Sequence, residues 1–123
     1  YIYKVEDENQ MLMIDRSQME QVLINLLKNA GEACMGQENP EVMVETFYQA
    51  EKHIFRLSVT DNGCGILPNV VDKIFIPFFT TKPTGSGIGL SLCKQILTLH
   101  GGSIRVSSEE GKGSCFTLKL VVK

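Results

Sequence analysis

The stretch DRSQMEQVLINLLKNAGEACMG, residues 15–36, limits what this chain can fold into more than any other. Met19, Val22, Leu23, Leu26, Leu27, Ala30, Ala33 and Cys34 recur on one face at about 100° per residue, the period of an α-helix. The spacing predicts a long amphipathic helix. Ser17 with Glu20, or equally Asp15 with Gln18, fits a capping box at its start, and Gly36 fits a stop at its end. A helix with so broad an apolar face needs a second layer to cover it.

The rest of the chain supplies strands for that layer. IYKV (2–5) and MLMI (11–14) read as two short strands around a polar turn, and 41–50 and 53–62 read as a strand pair rich in β-branched and aromatic residues. Residues 63–69 form a loop, VVDKIF (70–75) a short helical turn, and 76–87 an irregular Pro/Gly/Thr segment. IGLSLCKQILTLH (88–100) reads as a second helix stopped by Gly101–Gly102, and SIRVSS and SCFTLKLVV as two last strands around the turn EEGKG. There is no regular βαβ alternation, so one sheet with helices packed on one face is expected rather than a doubly wound parallel sheet. With 123 residues, one domain is the expectation.

Composition removes several classes of function. A net charge of −2 argues against general nucleic-acid binding. No apolar run reaches the roughly 18–20 residues of a membrane span, and no signal peptide opens the chain. Cys34, Cys64, Cys93 and Cys115 are widely spaced and form no CxxC pair, which fits reduced thiols in a cytoplasmic protein better than a zinc site. The first residue is not Met, so the chain reads as a piece of a longer one.

Three places carry candidate chemistry. Asn25 and Asn29 lie one turn apart at the border of the apolar face, about 90–130° from its centre, where a side chain reaches a cleft. Asparagine is a poor helix former, and the pair is either a polar edge or a site whose amides ligate Mg²⁺ or donate to phosphate. In FRLSVTDNGCGI, Phe55, Leu57 and Val59 alternate toward one face and Asp61 continues it. Asp61 is either part of an ordinary Asp-Asn-Gly turn or a carboxylate that accepts from the exocyclic amine of adenine and repels the carbonyl of guanine. Finally, TTKPTGSGIGLSLC (80–93) spaces Gly85, Gly87 and Gly89 at every second position before a helix. It is neither a P-loop nor a dinucleotide fingerprint. It is a flexible loop or an anion site, with backbone N–H groups and the helix N-terminus as donors, joined by Thr80, Thr81 and Lys82.

Taken together, NLLKNA (25–30), DNGCGI (61–66), IFIPFFTTKPTGSGIGLSL (74–92), HGGSI (100–104) and GKGSCF (111–116) occur in an order and at separations that closely resemble the catalytic and ATP-binding domain of bacterial sensor histidine kinases. The first three stretches carry that family's N, G1, F and G2 boxes, and NAGEA and PFFTTKP are most similar to its nitrogen-regulation subgroup. The resemblance runs from about Met11 to the C-terminus. It implies an α/β two-layer sandwich: a mixed, mainly antiparallel five-stranded sheet under about three helices, with ATP between the long helix and a lid. It implies that Asn29 ligates Mg²⁺ and that Asn25 holds the phosphate chain. Asp61 would take the adenine amine with Gly63, Gly65 and Ile66 beside the base. Gly85, Ser86, Gly87, Ile88, Gly89 and Leu90 would wrap the phosphates with Thr80, Thr81 and Lys82, and Phe75, Phe78 and Phe79 would anchor the lid.

The implied reaction is transfer of the γ-phosphate of ATP to a histidine on a separate dimerisation domain of the same protein, with a response-regulator receiver domain downstream. The implied setting is cytoplasmic, with no membrane contact by this domain, a monomeric isolated domain and a homodimeric parent. Neither His53, in a strand, nor His100, at a helix end, fits the acceptor. Ile76 stands where the subgroup usually has Glu, which bears on how the lid docks against a partner domain, and Glu32 stands where many relatives carry a basic residue, leaving Lys82 as the expected cation. Alternatives are an ATPase of the gyrase, mismatch-repair and heat-shock chaperone type, an anti-sigma-type serine kinase, or a nucleotide-binding module without chemistry. The ATPases place a Glu one turn before the Mg²⁺ asparagine to activate water. That position here is Asn25, and an amide cannot take a proton.

Overall fold

The computed structural model describes residues 16–79 and 88–121. The predicted strands at 2–5 and 11–14 lie outside the described residues. The long helix, α1, spans Arg16–Ala33. Ser17 lies inside the helix, so the Ser17–Glu20 capping register does not match its start, and Asp15 of the alternative register lies outside the described residues. It ends three residues before the predicted stop: Cys34 N–H still bonds the Ala30 carbonyl, and Gly36 turns the chain at φ +86°. Met19, Val22, Leu26, Ala30 and Cys34 are buried, with Leu23 and Leu27 packed beside them.

Strand β1 (Val42–Gln49) leads through a 3₁₀ turn at Ala50–Lys52 into β2 (Ile54–Asp61). The turn closes with His53 in the left-handed region, a detail the strand pattern does not announce. The second helix, α2, is Pro68–Val71 rather than 70–75. Pro68 sets its start, since proline's fixed φ suits the first helical turn and its missing N–H costs nothing there. Helix α3 (Gly89–Leu99) is followed by β3 (Ser103–Glu109) and β4 (Gly113–Val121). The end of α3 is closed by Gly101 at φ +72° and by Gly102 N–H on the Leu97 carbonyl at 2.7 Å.

The described strands form one sheet in the order β1-β2-β4-β3, every neighbouring pair antiparallel. The expected architecture of helices over one face of a sheet is therefore present. Four strands are seen among the described residues, against the five expected, and no parallel pair. Register aligns the core-facing residues in rows: Leu57, Leu118 and Ile104, then Val59, Phe116 and Val106. The next row along the same face is Asp61, Ser114 and Ser108, so the apolar rows end in a polar one. Leu26, Leu97 and Leu118 are almost wholly withdrawn from solvent, worth about 1.5–3 kcal/mol each relative to exposure. Phe75 packs edge-on against Phe116, ring centroids 6.4 Å apart, with the Lys94 ammonium over its other side.

All four cysteines are free; Cys34 and Cys93 are buried as their helix positions predict, and Cys64 is exposed. Burial between the helices pushes the Cys93 thiol up to about 11, partly offset by its contact with Asn25. Alkylation requires the thiolate. Iodoacetamide at pH 8 should therefore modify Cys64 in the native protein and leave Cys93 untouched until the chain is unfolded, as peptide mass mapping will report.

Candidate functional site

The border stripe of α1 faces the beginning of α3. Asn25 and Asn29 are both half-buried, one turn apart. The Asn25 amide donates to the Gly89 carbonyl at 3.4 Å, and Gln21 donates to Asn25 Oδ1 at 3.5 Å. The amide stripe thus meets the first residue of α3. That helix has no side-chain cap and no acid in its first turn. Its leading N–H groups and the positive end of its dipole therefore favour an anion.

Asp61 stands at the other end. It is the last residue of β2, 6% exposed, and its Oδ1 accepts the Gly63 N–H at 2.9 Å. The loop after it is held on both sides. Toward α1, Cys64 N–H bonds the Ala33 carbonyl at 3.1 Å, and a Cβ on Gly63 would overlap that same carbonyl. Toward the β3–β4 turn, Gly65 sits at φ +75° with no room for a Cβ against Glu109. There Gly111 N–H bonds the Cys64 carbonyl and Ile66 N–H bonds Ser108 Oγ, both at 2.8 Å. These two glycines are required by close backbone approach, not by flexibility. Ser108 Oγ in turn reaches Ser114 Oγ at 2.9 Å and the Gly113 carbonyl at 3.1 Å. A hollow opens here at the sheet's end, lined by Thr60, Asp61, Ser108, Lys112 and Ser114.

Of the residues singled out in the sequence, Asn25 and Asn29 share one stripe, and Asn25 touches Gly89. Asp61, Gly63, Gly65 and Ile66 form the bracketed loop end. Leu90 is half-buried and Ile88 exposed at the start of α3. Glu32 lies half-buried on the same edge as the asparagines. Thr80, Thr81, Lys82, Gly85, Ser86 and Gly87 lie outside the described residues.

Of the three phenylalanines, one differs from expectation. Phe75 and Phe79 are half-buried, but Phe78 is 75% exposed with φ +68°, an uncommon conformation for a bulky residue, and so anchors nothing within the described residues. Ile76 beside it is also exposed. His100 is half-buried, and its Nδ1 lies 2.8 Å from the Ile96 carbonyl at the end of α3.

Sequence reasoning missed Ser114, Ser108 and Asn62. Counting back by two from Phe116 would have placed Ser114 on the core face beside Asp61. Ser108 joins them only through the β3–β4 register. No group of three His, Cys, Asp or Glu side chains suited to a metal exists among the described residues. The α1 stripe carries the amide oxygens of Asn25 and Asn29 and the carboxylate of Glu32, all of them oxygen donors of the kind a hard cation takes. No described helix is long and apolar enough to cross a membrane.

Residues 14–123 match the family model described as histidine kinase-, DNA gyrase B-, and HSP90-like ATPase. The chain is 38% identical to the signal transduction histidine-protein kinase AtoS of Escherichia coli over 99% of its own length and 20% of that protein's. It is 44% identical to the sensor histidine kinase ZraS of the same organism over 90% of its length and 23% of that protein's. It therefore spans about a fifth of these curated relatives. Among solved structures, the nucleotide-free catalytic domain of histidine kinase ThkA superposes with a TM-score of 0.80 at 36% identity, covering 96% of this chain and 75% of that one. The mycobacterial sensor histidine kinase MprB superposes at 0.79 with 27% identity, covering 91% of this chain and 77% of its own. The chain belongs to the family of histidine kinase-, gyrase B- and HSP90-like ATPases, and its relatives there are the ATP-binding domains of two-component sensor histidine kinases.

Proposed function

We propose that this domain binds ATP with Mg²⁺ and presents the γ-phosphate to a histidine on a separate dimerisation domain. The reading rests on two unlike groups of residues on the helix-covered face of the sheet, taken as the two ends of one cleft. One end is a buried carboxylate beside two close-packed glycines, and the other is a stripe of amides meeting an uncapped helix N-terminus.

Each end suits one part of ATP. Asp61, desolvated and with one oxygen committed to Gly63, has its other oxygen to accept from the adenine amine, and the same charge repels the carbonyl of guanine. Gly65 and Ile66 would lie along the base, with Ser114 as a further polar contact beside Asp61. At the phosphate end, Asn29 supplies an amide oxygen suited to Mg²⁺, and Asn25 an amide group for the phosphate chain. When bound, Mg²⁺ neutralises charge on the phosphates. Ile88, Gly89 and Leu90 place the first N–H groups of α3 toward that charge. We assign Thr80, Thr81, Lys82, Gly85, Ser86 and Gly87 to the closing wall, with Lys82 as its cation.

Phosphoryl transfer of this kind rests on positioning and charge stabilisation, and the domain's own groups provide those. The nucleophile would come from the partner domain, since the His100 ring is engaged with its own helix end and His53 lies in the hairpin turn far along the sheet from Asp61. The exposed Ile76 and Phe78 would meet that partner. A receiver domain of a response regulator would take the phosphoryl group onward, in the cytoplasmic part of a homodimeric sensor. ATP hydrolysis is disfavoured as the main reaction. The residue one turn before Asn29 is Asn25, whose amide donates to Gly89 and cannot serve as a base.

Asp61→Asn should weaken ATP binding by about tenfold or more in calorimetry while shifting the melting temperature little; unchanged affinity removes the adenine assignment. Asn29→Ala should abolish Mg²⁺-dependent phosphorylation of the histidine-bearing domain supplied in trans, and a fully active variant excludes the metal role. GTP should bind at least about tenfold more weakly than ATP, and equal affinities contradict recognition of the base by Asp61.

A further inference from the structure

We infer that Asn62 is the positioning residue that fixes the span between the two ends of the cleft. The inference rests on the ATP reading above, and concerns a side chain that touches neither end. Its Oδ1 accepts the Glu41 N–H at 2.8 Å and the Cys34 thiol at 3.5 Å, and its Nδ2 donates to the Asn39 carbonyl at 2.8 Å. Its own N–H bonds the Glu41 carbonyl at 3.2 Å. One residue thus ties the end of β2 to the last turn of α1 and to the connection that runs from α1 into β1.

That connection needs tying. Residues 35–41 are all exposed and carry no regular structure beyond turns. Cys34, the one buried side chain at its start, directs its thiol to Asn62 and to the Glu41 carbonyl. The neighbours of Asn62 complete the joint, with Gly63 packed against the Ala33 carbonyl and Cys64 N–H bonded to it. Asp61 is therefore one residue from the joint on the strand side, and Asn29 is one turn from it on the helix side. A slide of α1 along β2 would change the Asp61–Asn29 span directly, and Asn62 resists that slide. A ligand that binds at both ends is sensitive to such a displacement, and a ligand read mainly at one end is not.

The test compares two probes on the 123-residue chain: Mg–ATP, which engages both ends in full, and ADP in EDTA, which lacks the γ-phosphate and the metal and so leans more on the base end. Asn62→Ala should lose about tenfold in Mg–ATP affinity but less than about threefold for ADP in EDTA, narrowing the gain that Mg²⁺ brings. Asn62→Asp keeps the two acceptances and turns the bond to Asn39 into a contact between two acceptor oxygens at an exposed position, so it remains informative where the alanine variant unfolds. It should lose about threefold for Mg–ATP alone. Equal losses for both probes, or affinities matching wild type, overturn the inference while leaving the ATP reading intact. A wild-type chain that binds neither probe overturns the ATP reading, and the inference with it.

Discussion

The alternation of β2 is the constraint on which the rest depends. Paired on both sides, β2 buries Phe55, Leu57, Val59 and Asp61 on one face and turns Arg56, Ser58 and Thr60 to the other. A slip of one residue would exchange the two sets and place an arginine against α1, so the register has no competitor of similar energy. The same lock that secures the hydrophobic core carries a carboxylate to the core face at the strand's last position. Asp61 is desolvated because it stands in line with three residues that belong inside.

Burying that carboxylate has a cost, and the loop after it supplies the compensation. One oxygen is met by the Gly63 amide, and the row beside it is polar, with Ser114 and Ser108 bonded to each other. The end of the sheet is thus arranged around a charge, and both glycines of the loop are pressed against backbone that leaves no space for a side chain. The α1–α3 side is built instead from the amides of Asn25 and Asn29 and the uncapped start of α3, with Glu32 on the same edge. On the proposed reading, the difference between the two ends suits a ligand with an uncharged, amine-bearing head and an anionic tail.

Much of this was legible in the residues. Helical spacing located the core stripe of α1 and the amide border beside it, because both follow from one angle per residue. Period two put Asp61 on the core face for the same reason. What was not legible depends on pairing across the sheet or on local steric detail. Ser108 has no motif to mark it and reaches Asp61's row only through β4. The start of α2 was misplaced by two residues because the apolar pattern of VVDKIF outweighed the proline that sets the helix. Phe78 was grouped with its aromatic neighbours, yet its left-handed backbone turns it outward, and no pattern of hydrophobicity encodes that. Asn62 reads in the sequence as the middle of an Asp-Asn-Gly turn, whereas its side-chain partners lie more than twenty residues away.

The β3–β4 turn has a consequence for how such a chain can vary. The loop after Asp61, which on the proposed reading walls the base end, leans on it through Gly65 against Glu109, through the Gly111 amide on the Cys64 carbonyl and through Ser108 on Ile66. An inserted residue there would displace the wall itself. The hairpin turn at the far end of β1 and β2, around Ala50–Lys52, is exposed, and among the described residues its backbone bond runs within the turn, from His53 N–H to the Ala50 carbonyl. Two turns of the same sheet therefore stand under opposite pressures: one is free to lengthen or change its charge for new surroundings, and the other is held in length by the pocket it supports.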